Sequence, residues 1–438
     1  MANIYFETYG CQMNLSEASS LSDKAKARGH KIVDNPENAH FVIINTCSVR
    51  LTAEERIEGR LGFYRALNRS LDHDLKVILM GCMSENIGLD VQKRFADIVS
   101  IVWGTYNKDA VIDYLDDLDA RTESLGFGAA YSFMPATPSK EFPFKAFLPV
   151  SHGCNKHCSY CIVPHVRGLE QNRPFQDIVD NAKKLAADGV IELCLLGQTI
   201  DTYCYENKRL PDLLEAVASQ AGIQRITFLT AHPKEFLYET VELMNAYPNI
   251  MPYLHLPFQA GSNRVLRLMK RGYTRELYLE KIARIREIRP DIILSTDIIV
   301  GFPSETEQEF EETMDLFTEI RFNEAFMYRY NTRPNTPAEH FEGQVPEKEK
   351  LRRLDILVKK HRQILAEELL KHQGCEYTIL FDRESKYSLK SESGIKQYVG
   401  RTHNNLMCAT LSAWDLIGKL ARVRIQETRG AITIGELV

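Results

Sequence analysis

The 438-residue chain has no apolar run long enough to span a membrane, and its N-terminus, MANIYFETYG, lacks a basic, apolar, cleavable leader. Repeats and low-complexity tracts are missing too. There is no excess of positive charge, the formal net charge being −5, which argues against a simple nucleic-acid coat. Ten cysteines are present without a disulfide-like framework, and in a chain this long that suits a reducing compartment. These absences lead us to expect a cytoplasmic protein with no membrane partner. At 44% hydrophobic residues the chain can build two or three domain cores.

Where disulfides are lacking, clustered thiols stand instead. Cys154, Cys158 and Cys161 fall within HGCNKHCSYCIVPHVRG. Thiols so close and odd in number cannot all pair, and they converge on one point as ligands of a soft metal centre do. Three thiolates on a four-iron cubane leave one iron open, the same logic that separates catalytic from structural zinc sites. A zinc loop or a set of buried thiols is the other reading, but zinc pairs usually use CxxC and need a fourth ligand nearby.

Three further cysteines are far apart in sequence but alike in context. Cys11 follows the apolar run in IYFETYGCQMN, Cys47 follows FVIINT and Cys82 follows VILMG. Each run reads as a buried parallel strand, and helix-like stretches follow at Ser16–Arg28, Ala53–Asn68 and Asp90–Phe95. Three βα units predict a doubly wound sheet, in which ligands gather at the carboxyl ends of the strands. The three thiols therefore meet at one edge and again leave an iron open. A packed core thiol is the competing reading for any one of them.

Residues 126–145 are rich in Gly, Pro, Ser and Ala and read as a linker after an N-terminal α/β domain at 1–125. Over 146–370 six strand-like runs alternate with helices, the pattern of a partial (βα)6 barrel, and the CxxxCxxC loop follows the first strand. Its last helix is long and charged, over residues 346–373. Residues 371–438 carry short alternating strands and predict a small β-barrel. The formal charges of the three parts (1–125, 126–370 and 371–438) are −5, −3 and +3, so only the tail is basic.

CxxxCxxC with an aromatic residue before its last cysteine resembles the radical S-adenosylmethionine (radical SAM) enzymes. The whole order of parts resembles their methylthiotransferase branch. Its markers are TYGCQMN, NTCSVR, GCM, GCNKHCSYCIVPHVRG, LLGQT, HLPFQAGS, RGYTRE, TDIIVGFPSET and NTRPNTPA. CQMN and NTCSVR are most similar to the branch that modifies isopentenylated adenosine in tRNA. Ribosomal-protein and threonylcarbamoyl-adenosine branches more often carry CPKN-type and CKVN-type sequences. The tail resembles a TRAM domain, an RNA-binding module. The chain departs from the family pattern at Thr199, where GQT replaces GQN, and at Ala260, where AGS replaces SGS.

The resemblance implies two [4Fe-4S] clusters and S-adenosyl-L-methionine. The cluster on Cys154, Cys158 and Cys161 would cleave the cofactor reductively to a 5′-deoxyadenosyl radical, and that on Cys11, Cys47 and Cys82 would hold the sulfur. It further implies methylthiolation of C2 of N6-isopentenyladenosine, 3′ to the anticodon. The substrate is then a tRNA anticodon stem-loop, the electron donor a flavodoxin or ferredoxin, and the enzyme a monomer. Such a carbon has neither a leaving group nor an acidic proton, so acid–base catalysis does not reach it and a cofactor must. Candidate cofactor contacts at strand ends are Gln198, Thr199, Thr296 and Asp297, each also readable as a loop or cap residue. Candidate tRNA contacts are Lys386, Lys390, Lys396 and Arg401. His255 and Gln259 flank the fourth strand end, and Arg167 suits either a substrate phosphate or an acidic neighbour. Cys194, Cys204, Cys375 and Cys408 read as structural thiols. A ribosomal-protein or threonylcarbamoyladenosine-tRNA methylthiotransferase competes with this reading, as does a non-catalytic iron–sulfur RNA-binding or electron-transfer protein. Carriers, however, normally use a full Cys₄ set.

Overall fold

A computed structural model describes residues 1–48, 51–117, 131–386 and 394–438. Five parallel strands open it: β1 (Asn3–Thr8), β2 (Lys31–Ile32), β3 (Phe41–Thr46), β4 (Lys76–Gly81) and β5 (Val99–Trp103), in the order β2-β1-β3-β4-β5. Alternation along the strands feeds two cores, because successive side chains leave a strand on opposite faces. Val42, Ile44, Val77 and Leu79 pack on one face with Ile57 and Leu61 of α2 (Leu51–Asn68) and Val91 of α3 (Cys82–Arg94). Ile43, Ile78 and Met80 pack on the other, with Leu21 and Ala25 of α1 (Gln12–Ala27) and Val111 of α4 (Ala110–Asp116). The sheet is doubly wound as expected. Strands β2 and β5 were not singled out from sequence, and α3 begins at Cys82 itself, well before the expected Asp90.

A partial barrel follows. Strands β6 (Lys145–Pro149), β9 (Glu192–Leu196) and β12 (Arg225–Leu229) form one parallel sheet, with the short hairpins β7/β8 (Ser151–His152, Gln171–Asn172) and β10/β11 (Cys204–Tyr205, Lys208–Arg209) inserted. A second parallel sheet comprises β13 (Tyr253–His255), β14 (Ile293–Val300) and β15 (Glu324–Arg329), and a parallel bridge from Ile226 to Ile250 joins the two. Outside them lie α6 (Phe175–Ala187), α7 (Leu210–Ala218), α8 (Glu239–Ala246), α9 (Asn263–Leu268), α10 (Arg275–Ile288) and α11 (Glu307–Ile320), while the short α5 (Val163–Arg167) packs against α3 of the first sheet. The segment read as a linker is packed where it is described. Asn181 on α6 exchanges hydrogen bonds with both backbone groups of Ala136, and the Ser20 hydroxyl on α1 donates to the Pro135 carbonyl.

After α12 (Glu347–Leu370) come β16 (Glu376–Glu384), β17 (Lys396–Thr402), β18 (Met407–Ser412), β19 (Leu420–Arg429) and β20 (Ile432–Leu437), closed as β16-β17-β18-β20-β19. This small barrel plugs the amino-terminal end of the larger one. The Arg225 guanidinium donates to the carbonyls of Arg401 and Thr402, Lys145 pairs with Asp382 at 3.6 Å, and Leu406 packs with Tyr253, Ile293 and Leu369.

Candidate active site

The CxxxCxxC loop leaves the carboxyl end of the β6–β7 segment and is pinned by its own backbone. The Cys154 N–H donates to the Gly168 carbonyl, and the Ser159 N–H and hydroxyl donate to the carbonyls of Met269 and Leu268. Gly153 makes the turn at φ +76°, where a Cβ would collide with the Gly168 and Leu169 carbonyls. Cys154 and Cys158 are buried and Cys161 half-buried. Burial pushes the Cys161 thiol up to about 12, with the neighbouring Cys158 adding to it, and burial likewise raises Cys154. N–H and O–H groups already face these sulfurs. The Lys156 amide donates to Cys154 Sγ at 3.4 Å, the Thr199 hydroxyl stands 3.4 Å from the same atom, and Arg271 Nη1 donates to Cys158 Sγ at 3.3 Å.

The second set of thiols lies at three neighbouring strand ends. Cys11 follows β1, Cys47 follows β3 and Cys82 follows β4. Gly10, at φ +116°, lies so close that a Cβ there would come within 2.6 Å of Cys47 Cβ and 3.1 Å of its sulfur. Asn14 laces these ends together, its Nδ2 donating to the carbonyls of Tyr9 and Thr46 while Cys11 Sγ stands 3.8 Å from its Oδ1. Cys82 packs against Ile162 and Val166 just beyond the other thiol loop. Cys11 packs, with Met13, against Cys194, Leu196, Phe147 and Leu229 of the larger barrel. Both thiol sets thus border the same space.

Arg167 was missed as a partner of this site. Its side chain is buried and takes the acidic neighbour of the two readings, Glu17. Nε donates to Cys82 Sγ at 3.2 Å, Nη1 to Glu17 Oε1 at 3.1 Å and Nη2 to Asn14 Oδ1 at 2.9 Å, while Nη1 also stands 3.4 Å from His152 Nδ1. Lys108, also buried, pairs with the other Glu17 oxygen. Burial opposes ionisation of Glu17, but Lys108 and Arg167 outweigh it and hold the carboxyl below its ordinary range. Burial, then Arg167 and Lys108, hold His152 well below its ordinary value, so its ring, stacked on Tyr131 at 3.7 Å, is neutral.

The remaining candidates separate. Thr199 is at the first thiol set, with Gln198 half-buried beside it. Asp297 lies in the barrel lumen, 3.5 Å from His255 Nε2, whose Nδ1 meets the Ser295 hydroxyl at 3.0 Å. Thr296 does not join them. It points into the helix layer, fully buried, its hydroxyl accepting from the Phe258 N–H and donating to the Leu256 carbonyl. Gln259 is held at φ +67° with its Oε1 buried and without a donor. In the tail, Lys386 is exposed and Lys396 pairs with Glu384 at 2.9 Å, whereas Arg401 turns inward, donating to the Asn405 carbonyl, 4.0 Å from Glu324. Lys390 lies outside the described residues. Cys204 and Cys375 are exposed, Cys194 and Cys408 buried.

These residues fit two iron–sulfur clusters. Among the described residues no three His, Cys, Asp or Glu side chains close on one point as ligands of a single ion do. In a cubane, by contrast, each thiolate binds its own iron and the sulfurs stand farther apart. Arg167 and Arg271 each direct an N–H at a sulfur, the donor that an anionic cluster calls for.

A partial parallel barrel with such a loop at its mouth, faced by a second thiol set on a doubly wound sheet, defines a radical SAM enzyme with an auxiliary site. Residues 148–317 match the Radical SAM superfamily and residues 3–104 the Uncharacterized protein family UPF0004. The chain is 34% identical over 445 residues to the tRNA-2-methylthio-N(6)-dimethylallyladenosine synthase of Aquifex aeolicus, covering 99% of this chain and 98% of that protein. It is 36% identical over 443 residues to the synthase of the same name from Clostridium beijerinckii, covering 99% and 95%. It belongs to the tRNA-2-methylthio-N(6)-dimethylallyladenosine synthase family, and is a transferase. Among solved structures the fold is similar to the radical S-adenosylmethionine methyltransferase TsrM of Kitasatospora setae, with a TM-score of 0.57 and 14% identity over 77% of each chain.

Proposed function

We propose that this enzyme places a methylthio group on C2 of N6-isopentenyladenosine, 3′ to the anticodon of tRNA. The observation that carries this reading is the packing of the N-terminal sheet's thiols onto the radical domain, Cys11 with Met13 against Cys194 and Leu196, and Cys82 against Ile162 and Val166 just after Cys161. When bound, the two [4Fe-4S] clusters and S-adenosylmethionine supply the one-electron chemistry, the sulfur and the methyl group. Cys154, Cys158 and Cys161 hold the first cluster, and Cys11, Cys47 and Cys82 the second. Thr199 and Gln198 after β9 and Asp297 on the lumen face of β14 orient the cofactor, while Thr296 shapes the loop behind them. The packed Met13–Leu196 boundary keeps water from the reacting carbon.

In this reading residues 1–125 carry the sulfur-bearing site, 146–370 the radical site and 371–438 part of the tRNA grip. An electron donor such as a flavodoxin or ferredoxin feeds the electrons. Mass spectrometry of tRNA nucleosides from cells lacking the protein tests the proposal. N6-isopentenyladenosine should accumulate without its 2-methylthio form, and restoring the gene should reverse this. An unchanged nucleoside profile would refute the assignment, and loss of a methylthio-threonylcarbamoyl nucleoside in its place would move the enzyme to the sister branch.

A further inference from the structure

Arg167 is the last residue of α5, six positions beyond Cys161, yet its guanidinium serves the other thiol set. Of its contacts, one is the Cys82 sulfur itself. A second is Asn14, whose amide holds the Tyr9 and Thr46 carbonyls beside Cys11 and Cys47. One side chain therefore braces all three thiol-bearing strand ends.

The charges in this sealed space do not balance without the thiols. Arg167, Lys108 and Glu17 are each at most 2% exposed, and the two cations share that one buried carboxylate as their ion-pair partner. A buried net positive charge is costly unless an anion accompanies it. An oxidised four-iron core bound by three thiolates carries one net negative charge, which is what the surplus would offset. Adding an electron deepens that negative charge. A fixed cation donating N–H to a ligand sulfur therefore stabilises the reduced form more than the oxidised one.

We propose that Arg167 is a positioning residue of the Cys11–Cys47–Cys82 site. Through its bond to Cys82 and its buried charge it raises that site's electron affinity, and it fixes the site's register against the radical loop from which it comes. The inference rests on reading those three cysteines as ligands of one cluster.

The test uses full-length, reconstituted protein in which Cys154, Cys158 and Cys161 are all replaced by Ala, so that any remaining iron reports on the auxiliary site alone. Iron per chain is counted first. About four irons in this parent support the ligand assignment, and none would overturn that assignment without bearing on Arg167. The midpoint potential and the electron paramagnetic resonance spectrum of the reduced site are then compared with Arg167→Met and Arg167→Lys added. Arg167→Met should lower electron affinity tenfold or more, about 59 mV to the negative for a one-electron couple, with an altered spectrum. Arg167→Lys should shift less, because it keeps the charge but loses the fixed fork. Should Arg167→Met shed its iron, the negative shift is read from Arg167→Lys. An unchanged potential and spectrum in whichever variant retains iron overturns the proposal, since a merely structural arginine would move neither.

Discussion

Asp201 has one carboxylate oxygen held by the His232 N–H and the other buried without a donor. Burial raises its carboxyl from 3.8 to about 7, the bond from His232 opposing. The folded chain therefore keeps a proton that the unfolded chain gives up, between those two values. Stability is greatest below the lower value and falls by up to ~1.4 kcal/mol per pH unit as pH rises toward 7, then levels off. Thermal melts of the cluster-loaded protein from pH 5.5 to 8 should show this decline, and Asp201→Asn should flatten it. An equal slope in both proteins would place the proton elsewhere. The triads offer a second residue-scale contrast. Cys154→Ala should abolish S-adenosylmethionine cleavage and product alike. Cys47→Ala should stop methylthio transfer yet leave cleavage measurable, with iron counting as the control for lost folding. Equal loss of cleavage in both, with the first cluster intact, contradicts the division of labour. The cysteines themselves were legible, Cys154, Cys158 and Cys161 from their close spacing and Cys11, Cys47 and Cys82 because each follows an apolar, strand-like run. Arg167 was not, since Glu17 and Cys82 lie 150 and 85 positions away and nothing in its own heptapeptide names them.

At the scale of single elements, alternation and glycine decide what reaches the site. Thr296 and Asp297 are neighbours on β14, and side chains one apart on a strand leave by opposite faces. Both could not line the lumen, so the period of two already contained the correction that the structure makes. The edge strand β2, with two residues, was too short to show any period, and β5 falls between two turn-like stretches. The loop between β7 and α5 depends on Gly153. A side chain there meets a left-handed φ, costing about 1 kcal/mol or more for a residue with a Cβ, and collides with two carbonyls that are themselves fixed. Because Gly168 accepts from the Cys154 N–H, relief of that collision moves a ligand. Gly153→Ala should therefore lose much of the radical-site iron while the auxiliary iron stays. Retention of full iron with normal cleavage would show that the turn can adjust.

For the molecule as a whole, the tail also closes the floor of the larger barrel. Its positive charge was visible in the sequence, but its seat was not, because Arg225 and Arg401 are 176 positions apart and nothing local marks their meeting. Removing residues 371–438 would strip the buried Arg225 guanidinium of two carbonyl acceptors and uncover Tyr253 and Ile293 at the barrel floor. Arg225 keeps Glu192 at 2.7 Å, but the loss of hydrogen bonds from a charged donor costs about 1.5–3 kcal/mol. The truncated enzyme should melt roughly 5 °C lower, so weaker tRNA binding by it would not by itself locate the grip. Charge reversal is the cleaner probe. Lys386 and Lys396 project from the outer side of the small barrel, away from the Arg225 contacts, and reversing them leaves the floor closed. If they meet phosphates, Lys386→Glu and Lys396→Glu should each flatten the log–log salt dependence of tRNA binding by somewhat under ~1 unit. Melting temperature and S-adenosylmethionine cleavage should stay as they are. Arg401→Ala should behave oppositely, lowering stability with little change in slope, because its guanidinium faces Glu324 and the Asn405 carbonyl. Anisotropy titrations across a salt series, with melts alongside, distinguish the two kinds of residue. Unchanged slopes in both lysine variants would move the RNA contact off the outer face of the tail. The long helix α12 would not inherit it readily, since Arg352 and Arg353 are already committed to Glu307, Glu349 and Glu305.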